Sequence, residues 1–358
     1  MTSATALLVG RDAELRVLDR ALDAVDGGAS RALGITGEPG IGKSRLLGEL
    51  AARAAGRGHA VLAGRAAELE RDVPFALWVD ALDGHLDKRA VQGLADDELA
   101  DLAVALPAAA RITGVAPAAS IERHRVARAV RALLARLASA RPLTLLLDDV
   151  HWTDPASADV LALILHRPPD GAVLVALAAR TGRAPALEAR LQAAVRQRLA
   201  DALDVGPLAR DAADALMPGV GSTARARLYD ESGGNPFYLE ELVRAGARTP
   251  GTTPPAGVPA VPRSVLAALA DEIAGLAPQA RLVAQGGAVA GDPFDPAVAA
   301  AAAGLDDGVA LEALDAVLAA DLVRPTADPR RFRFRHPLVR RAVYESGGGR
   351  WRRAARRR

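Results

Sequence analysis

The sequence predicts an α/β fold, a doubly wound parallel sheet followed by smaller helical parts. Three observations carry that prediction. Short apolar runs recur through the first 206 residues, at 33–36, 60–63, 143–147, 173–178 and, more weakly, 202–205. Most are apolar on both faces, as strands covered by helices on each side of a sheet must be. Helical patterns separate them, including 45–55 and the amphipathic 122–138, so strand and helix alternate.

Taken in order, a helix is expected at 12–24, the first strand ends in a glycine-rich turn at 37–42, and the second strand follows at 60–63. The segment 68–117 has no clear period and is expected to form helices between the second and third strands. Thr153-Asp154-Pro155 reads as a helix start, with Asp154 as cap and Pro155 at the first helical position. These elements make a first domain at 1–206. Residues 207–248 look helical, broken by Gly-Gly-Asn-Pro at 233–236, and form a helical lid. The Pro-, Gly- and Thr-rich stretch 249–262 reads as a linker. Short helices over 263–320 and a hairpin from 322–324 and 331–335 around a turn at 327–329 are what a winged-helix domain, 263–345, looks like. The last stretch, 346–358, is an Arg-rich tail expected to be disordered.

Composition narrows the function. With hydrophobic residues at 50% but aromatics at 3%, the core must be built from Ala, Leu and Val. Cys is absent, which excludes disulfides, thiolate metal sites and Cys nucleophiles and fits a reducing cytoplasm. No apolar run approaches the roughly 18 residues a membrane helix needs, and the first residues lack the pattern of a signal peptide, so a cytoplasmic protein without a membrane partner is expected. The net charge of +2 hides a strong asymmetry. Residues 324–358 hold 13 Arg against Asp328 and Glu345, which leaves the preceding body mildly acidic and without a footprint for nucleic acid. Only two lysines occur, Lys43 and Lys88.

One of those lysines lies in Gly37-Glu38-Pro39-Gly40-Ile41-Gly42-Lys43-Ser44, which matches G-x-x-x-x-G-K-[ST] between a strand and a helix. Glycines let the backbone wrap closely enough for its N–H groups to point at phosphate oxygens, and the helix N-terminus adds its positive end. Lys43 is expected to bridge the β- and γ-phosphates and the Ser44 hydroxyl to bind Mg²⁺. The sheet is therefore read as that of a P-loop NTPase. The third strand delivers Asp148 and Asp149 to the sheet's C-terminal edge, Asp148 to the Mg²⁺ shell and Asp149 to orient or activate the attacking water. Asp at the second place, rather than Glu, points to slow hydrolysis. His151 and Trp152 follow, Trp152 read as a packing residue more than a nucleotide stacker. Arg180, at the end of the fourth strand, can reach a γ-phosphate and report its presence.

Val9-Gly10-Arg11, GEPGIGKS at 37–44, LLLDDVHW at 145–152, a strand ending in Arg180-Thr181, ESGGNPFYLEEL at 231–242 and FRFRHPLVRRAVY at 332–344 follow one another in this order. Together they resemble the ATPase module of the signal-transduction NTPases (STAND), specifically that of large ATP-binding LuxR-type transcriptional regulators, over residues 7–345. The resemblance implies that Val9, Gly10 and Arg11 pack at the adenine and ribose. It implies that Gly234-Asn235-Pro236 is a lid motif whose Pro236 meets the nucleotide, and that His336 contacts the β-phosphate of ADP. ADP would hold a closed form, ATP an open one, and slow hydrolysis with Mg²⁺ would reset the switch. An inducer or regulatory protein and nucleotide-dependent self-association are the implied partners. The family's repeat sensor and DNA-binding helix-turn-helix are not found here, so the chain is read as a truncated module whose DNA contacts belong to other segments. The alternative is a ring-forming AAA-type ATPase acting on DNA or protein, with Arg190, Arg196 or Arg198 supplied between subunits.

Overall fold

The computed structural model describes residues 8–119, 122–248 and 262–357. The chain divides into two compact units, residues 11–206 and residues 1–10 with 207–358. Among the described residues no helix is long and apolar enough to cross a membrane.

The first unit is an α/β domain around a five-stranded sheet. Its strands are β1 (Arg31–Gly37), β2 (Ala60–Arg65), β3 (Leu143–Asp148), β4 (Val173–Arg180) and β5 (Ala200–Val205). They run in the order β2-β3-β4-β1-β5 with every pairing parallel. Side chains of β3 and β4 alternate between two buried faces. Leu145, Leu147, Val173, Val175 and Leu177 join one core with the helices Ala76–Leu82, Asp96–Ala105, Arg123–Leu137, Pro155–His166 and Pro185–Arg196. Leu146, Leu174, Ala176 and Ala178 are buried on the other face, where α1 (Asp12–Asp26) and α2 (Lys43–Gly56) pack. The stretch 68–117 is helical, as expected, with Pro107–Thr113 as its last helix. Asp154 caps its helix by accepting from the Ser157 N–H at 2.9 Å.

The parallel arrangement gathers the C-terminal ends of all five strands along one edge. β1 lies between β4 and β5, and Gly37 is in register with Arg180 on one side and Val205 on the other. β3 lies next to β4, so the strand carrying Arg180 separates the loop strand from the one carrying Asp148.

In the second unit, helices Arg210–Ala215, Ser222–Ser232 and Pro236–Arg248 come first. Helices Arg263–Ala274, Pro278–Ala290, Pro296–Ala303 and Asp307–Ala319 precede an antiparallel hairpin of β6 (Val323–Pro325) and β7 (Phe332–Phe334), and Pro337–Ser346 follows it. Val265, Leu269, Val283, Leu314, Val317, Phe334 and Val339 are among the residues of their shared core. Inside it the Arg335 guanidinium meets the Glu272 carboxylate at 2.7 Å, both side chains largely buried.

Two expectations change. Val9 and Gly10 group with the second unit rather than with the first domain: Val9 packs on the cluster of Leu208, Ala212, Ala213, Met217 and Leu239, and Gly10 lies against Ala212. The tail expected to be disordered forms a helix at Gly349–Ala355. Its Arg352 and Arg356 guanidinium groups lie 5.0 and 5.6 Å from the centre of the Tyr344 ring, Arg356 also donates to the Tyr344 hydroxyl, and Ala355 is buried. Stacking on one aromatic ring gives this Arg run the partner its composition lacks. The proposed linker lies, apart from Pro262, outside the described residues.

Candidate phosphate-binding site

The turn between β1 and α2 folds as its glycines require. Gly37 takes φ 154°, and a Cβ there would stand 2.8 Å from the Val205 carbonyl oxygen, so the strand's last residue admits no side chain. Gly42 caps α2 in the left-handed region, and its carbonyl accepts the Leu46 N–H at 3.0 Å. Ile41 is buried beneath the loop, Glu38 and Pro39 are half-buried, and Gly40 is exposed at the tip. Ser44 stands exposed in the first helical turn, where the positive end of the helix faces the solvent.

Lys43 turns back under the loop. Its Nζ donates to the carbonyls of Gly37 at 3.0 Å and Glu38 at 2.8 Å, which holds both ends of the turn together. It is 7% exposed. Burial, and after it the positive charge of Arg180, push its pKa down from 10.5 to about 8. An ammonium so placed gains from any anion brought to it.

Arg11, expected at the adenine and ribose, is held behind the loop. Its guanidinium is 4% exposed and donates to the Glu14 carboxylate at 2.7 Å, the Gly206 carbonyl at 2.8 Å and the Ile41 carbonyl at 3.1 Å. It braces the back of the phosphate loop against the end of β5.

The carboxylates occupy the neighbouring strand end. Asp148 is half-buried and accepts the Asp149 N–H at 2.9 Å. Asp149 takes φ 51°, a left-handed conformation costly for a residue with a Cβ. Its Oδ2 accepts two hydrogen bonds from Arg65, from Nε at 2.9 Å and Nη2 at 2.6 Å, while its Oδ1 lies 3.9 Å from His151 Nδ1. Arg65 ends β2 in register with Asp148. Arg180 ends β4, close enough to Lys43 and His151 to lower the pKa of both. Trp152 packs partly buried against the core with its ring 5.0 Å from that of His151, in keeping with a packing role.

Residues 7–176 match the family model described as the AAA ATPase domain. This segment is an AAA-type P-loop ATPase domain. None of the curated proteins matches the sequence. Among solved structures, the ORC2 protein of Aeropyrum pernix in its ADPNP–ADP complexes is similar with a TM-score of 0.53 and 14% identity, over 94% of this chain and 93% of that one. Its ADP form gives 0.49 at 13% identity over 96% of each chain. A RuvB variant from Thermotoga maritima gives 0.43 at 14% identity, over 94% of this chain and 96% of that one. At that identity the ORC2 likeness is one of fold.

The ATPase domain thus brings together the loop 37–44, Arg11, Asp148, Asp149 and Arg180, and adds Arg65 and His151. Arg65 has no role in the reading of the sequence, although a charged residue ending the strand before the Asp148 strand is a usable signal. Val9, Gly10, Pro236 and His336 belong to the second unit. There the Gly234 carbonyl accepts the Leu208 N–H at 2.9 Å, Asn235 Oδ1 accepts the Phe237 N–H at 3.1 Å, and Pro236 opens its helix. His336 is 4% exposed and its Nδ1 accepts the Leu338 N–H at 3.1 Å, which leaves the ring proton on Nε2. The ring lies 4.7 Å from that of Tyr238, and a Cβ on Gly233 would come within 2.9 Å of it. Burial pushes the His336 pKa down to about 4. In this unit the histidine locks the Gly-Gly-Asn-Pro turn to the helix after the hairpin.

Proposed function

We propose that the chain is an ATP/ADP-binding switch module that hydrolyses ATP slowly, of the kind found in large LuxR-type regulators. The observation that carries this reading is the restrained carboxylate at Asp149. A fast ATPase needs a water-directing acid with reach, whereas Asp149 is one methylene short of a glutamate, and the Arg65 contact on Oδ2 steadies it without extending it. In this reading Lys43 and the loop N–H groups hold the β- and γ-phosphates, and Arg180 registers the γ-phosphate. The hard oxygen donors Ser44 Oγ and the Asp148 carboxylate fit Mg²⁺ and would hold it. Bound there, it supplies positive charge to the oxygens that become more negative as the terminal phosphoryl leaves.

In this reading Val9, Gly10, Pro236 and His336 are nucleotide contacts, and residues 263–345 form a winged-helix domain. The signal would pass to an inducer-sensing or regulatory partner, with nucleotide-dependent self-association as a second output. Differential affinity of the two nucleotides for the two states limits any shift, typically to about 1–3 kcal/mol.

The test is the identity of the nucleotide released on denaturing the purified chain, beside a Lys43→Ala control. Bound ADP in the parent and none in the control supports the switch. A folded chain that comes empty, turns over added ATP rapidly and sizes as a ring of subunits would refute it in favour of a motor ATPase.

A further inference from the structure

His151 is a buried side chain near the phosphate-binding edge that the proposed chemistry has not used. It sits in the short turn Val150–Trp152 directly after β3, with its side chain 1% exposed and with neither ring nitrogen hydrogen-bonded to a protein group among the described residues. Leaving a buried polar group unpaired costs about 1–3 kcal/mol, so a fold retains one only where something else is gained. The charged groups acting on the ring are Arg180, Asp149, Lys43 and Arg183, three of which are already placed at the phosphate-binding edge. With Thr153, Arg71 and Arg183 it also lines a cavity of about 310 Å³, which has room for water.

Asp149 is built to face this ring. Arg65 engages Oδ2, and the left-handed backbone at Asp149 sets Oδ1 3.9 Å from His151 Nδ1. A movement of about 1 Å makes that a hydrogen bond. We propose that Asp149 and His151 act as a pair: Asp149 Oδ1 accepts the Nδ1–H of His151, and the unprotonated Nε2 accepts a hydrogen bond from the water that attacks the terminal phosphoryl group. The histidine thereby supplies the reach that an aspartate, one methylene shorter than glutamate, does not have.

This inference rests on the ATP hydrolysis proposed above. In the step, a bond forms from the water oxygen to the γ-phosphorus, and the bond from that phosphorus to the β–γ bridging oxygen breaks with its electron pair going to ADP. The water proton goes to Nε2 and then to the orthophosphate. Burial, and after it the charge of Arg180, push the imidazole pKa down to about 4, so the ring is neutral and accepting at neutral pH. It is a weak base, which suffices because a loose phosphoryl-transfer transition state depends more on orientation than on basicity.

Single-turnover ATP hydrolysis and ATP affinity of the whole chain, measured for the parent, His151→Gln and His151→Asn, test the pair. A Gln amide falls near Nε2 and an Asn amide near Nδ1. The Gln variant is expected to retain hydrolysis within about tenfold, while the Asn variant loses about 100-fold, with ATP affinity in both within about threefold of the parent. A third comparison does not depend on how well either variant packs: in Asp149→Asn with His151→Asn, the double variant should be no slower than His151→Asn alone. Parallel losses in the Gln and Asn variants, or additive losses in the double variant, would overturn the pairing while leaving the ATPase reading standing. A parent that binds ATP and does not cleave it in a single turnover would overturn both.

Discussion

Raising the pH from 7 to 9 should weaken nucleotide binding through one group. Lys43 has its pKa pushed down to about 8 by burial and by Arg180, and bound phosphates would restore its charge. In the free protein the ammonium is then about nine-tenths present at pH 7 and about one-tenth at pH 9. The last ionisation of a phosphate, near pKa 6, is complete over that range, so the ligand hardly changes. ADP affinity should fall about tenfold between pH 7 and 9, with about half a proton taken up per ADP bound at pH 8. The same displacement acts on folding with a definite sign. The folded pKa lies below the unfolded value of 10.5, so between about 8 and 10.5 the unfolded chain holds more protons, and nucleotide-free stability gains up to roughly 3 kcal/mol as pH rises through that window. Calorimetric titration with ADP at pH 7, 8 and 9, in two buffers of different ionisation enthalpy, reads both affinity and proton uptake. Lys43→Arg carries a guanidinium that does not titrate there and should show a flat profile. A flat profile in the parent, or an equal slope in Lys43→Arg, would refute the assignment of the buried charge to phosphate binding.

Arg65→Ala should slow single-turnover hydrolysis about fivefold, since the pair is partly exposed and worth about 1 kcal/mol, and leave ADP affinity unchanged. A faster variant would mean that Arg65 silences Asp149 rather than steadying it. Glu272→Ala leaves Arg335 buried without its carboxylate and should cost about 3–5 kcal/mol, read as a lower denaturant midpoint for the second unit. His336 is buried with its pKa down at about 4, below the unfolded 6.5, so its contribution is lost as pH falls from 6.5 through 4. Between pH 7 and 4.5 that loss is about 2–3 kcal/mol, and His336→Asn, which keeps an acceptor for the Leu338 N–H, should flatten the slope of urea midpoint against pH by that amount.

The parts of this molecule written locally in the chain were the readable ones. Four strands stood out because runs such as 143–147 are apolar on both faces, β5 more weakly because Asp201 and Asp204 interrupt it, and the phosphate loop because its glycines and lysine are contiguous. Strand order was not readable, since whether β4 or β3 lies beside β1 depends on crossovers spanning many residues. Arg65 was missed for the same reason: it finds Asp149 across 84 residues through the register of β2 with β3. The bracing of the loop by Arg11 was hidden in the same way, because its partners Ile41 and Gly206 lie 30 and 195 residues away. The Arg-rich end was misjudged because composition counts charges and not the ring of Tyr344 on which two of them stack.

The scarcity of lysine gives the phosphate loop a chemical signature of its own. Lys88 is exposed and Lys43 is 7% exposed beneath the loop carbonyls, and every other basic side chain apart from six histidines is an arginine. A reagent that acylates amines would therefore mark Lys88 at once and reach Lys43 only when the loop lets go of it. The mass of the labelled chain, followed over time, then becomes a direct clock for the opening of the nucleotide cradle.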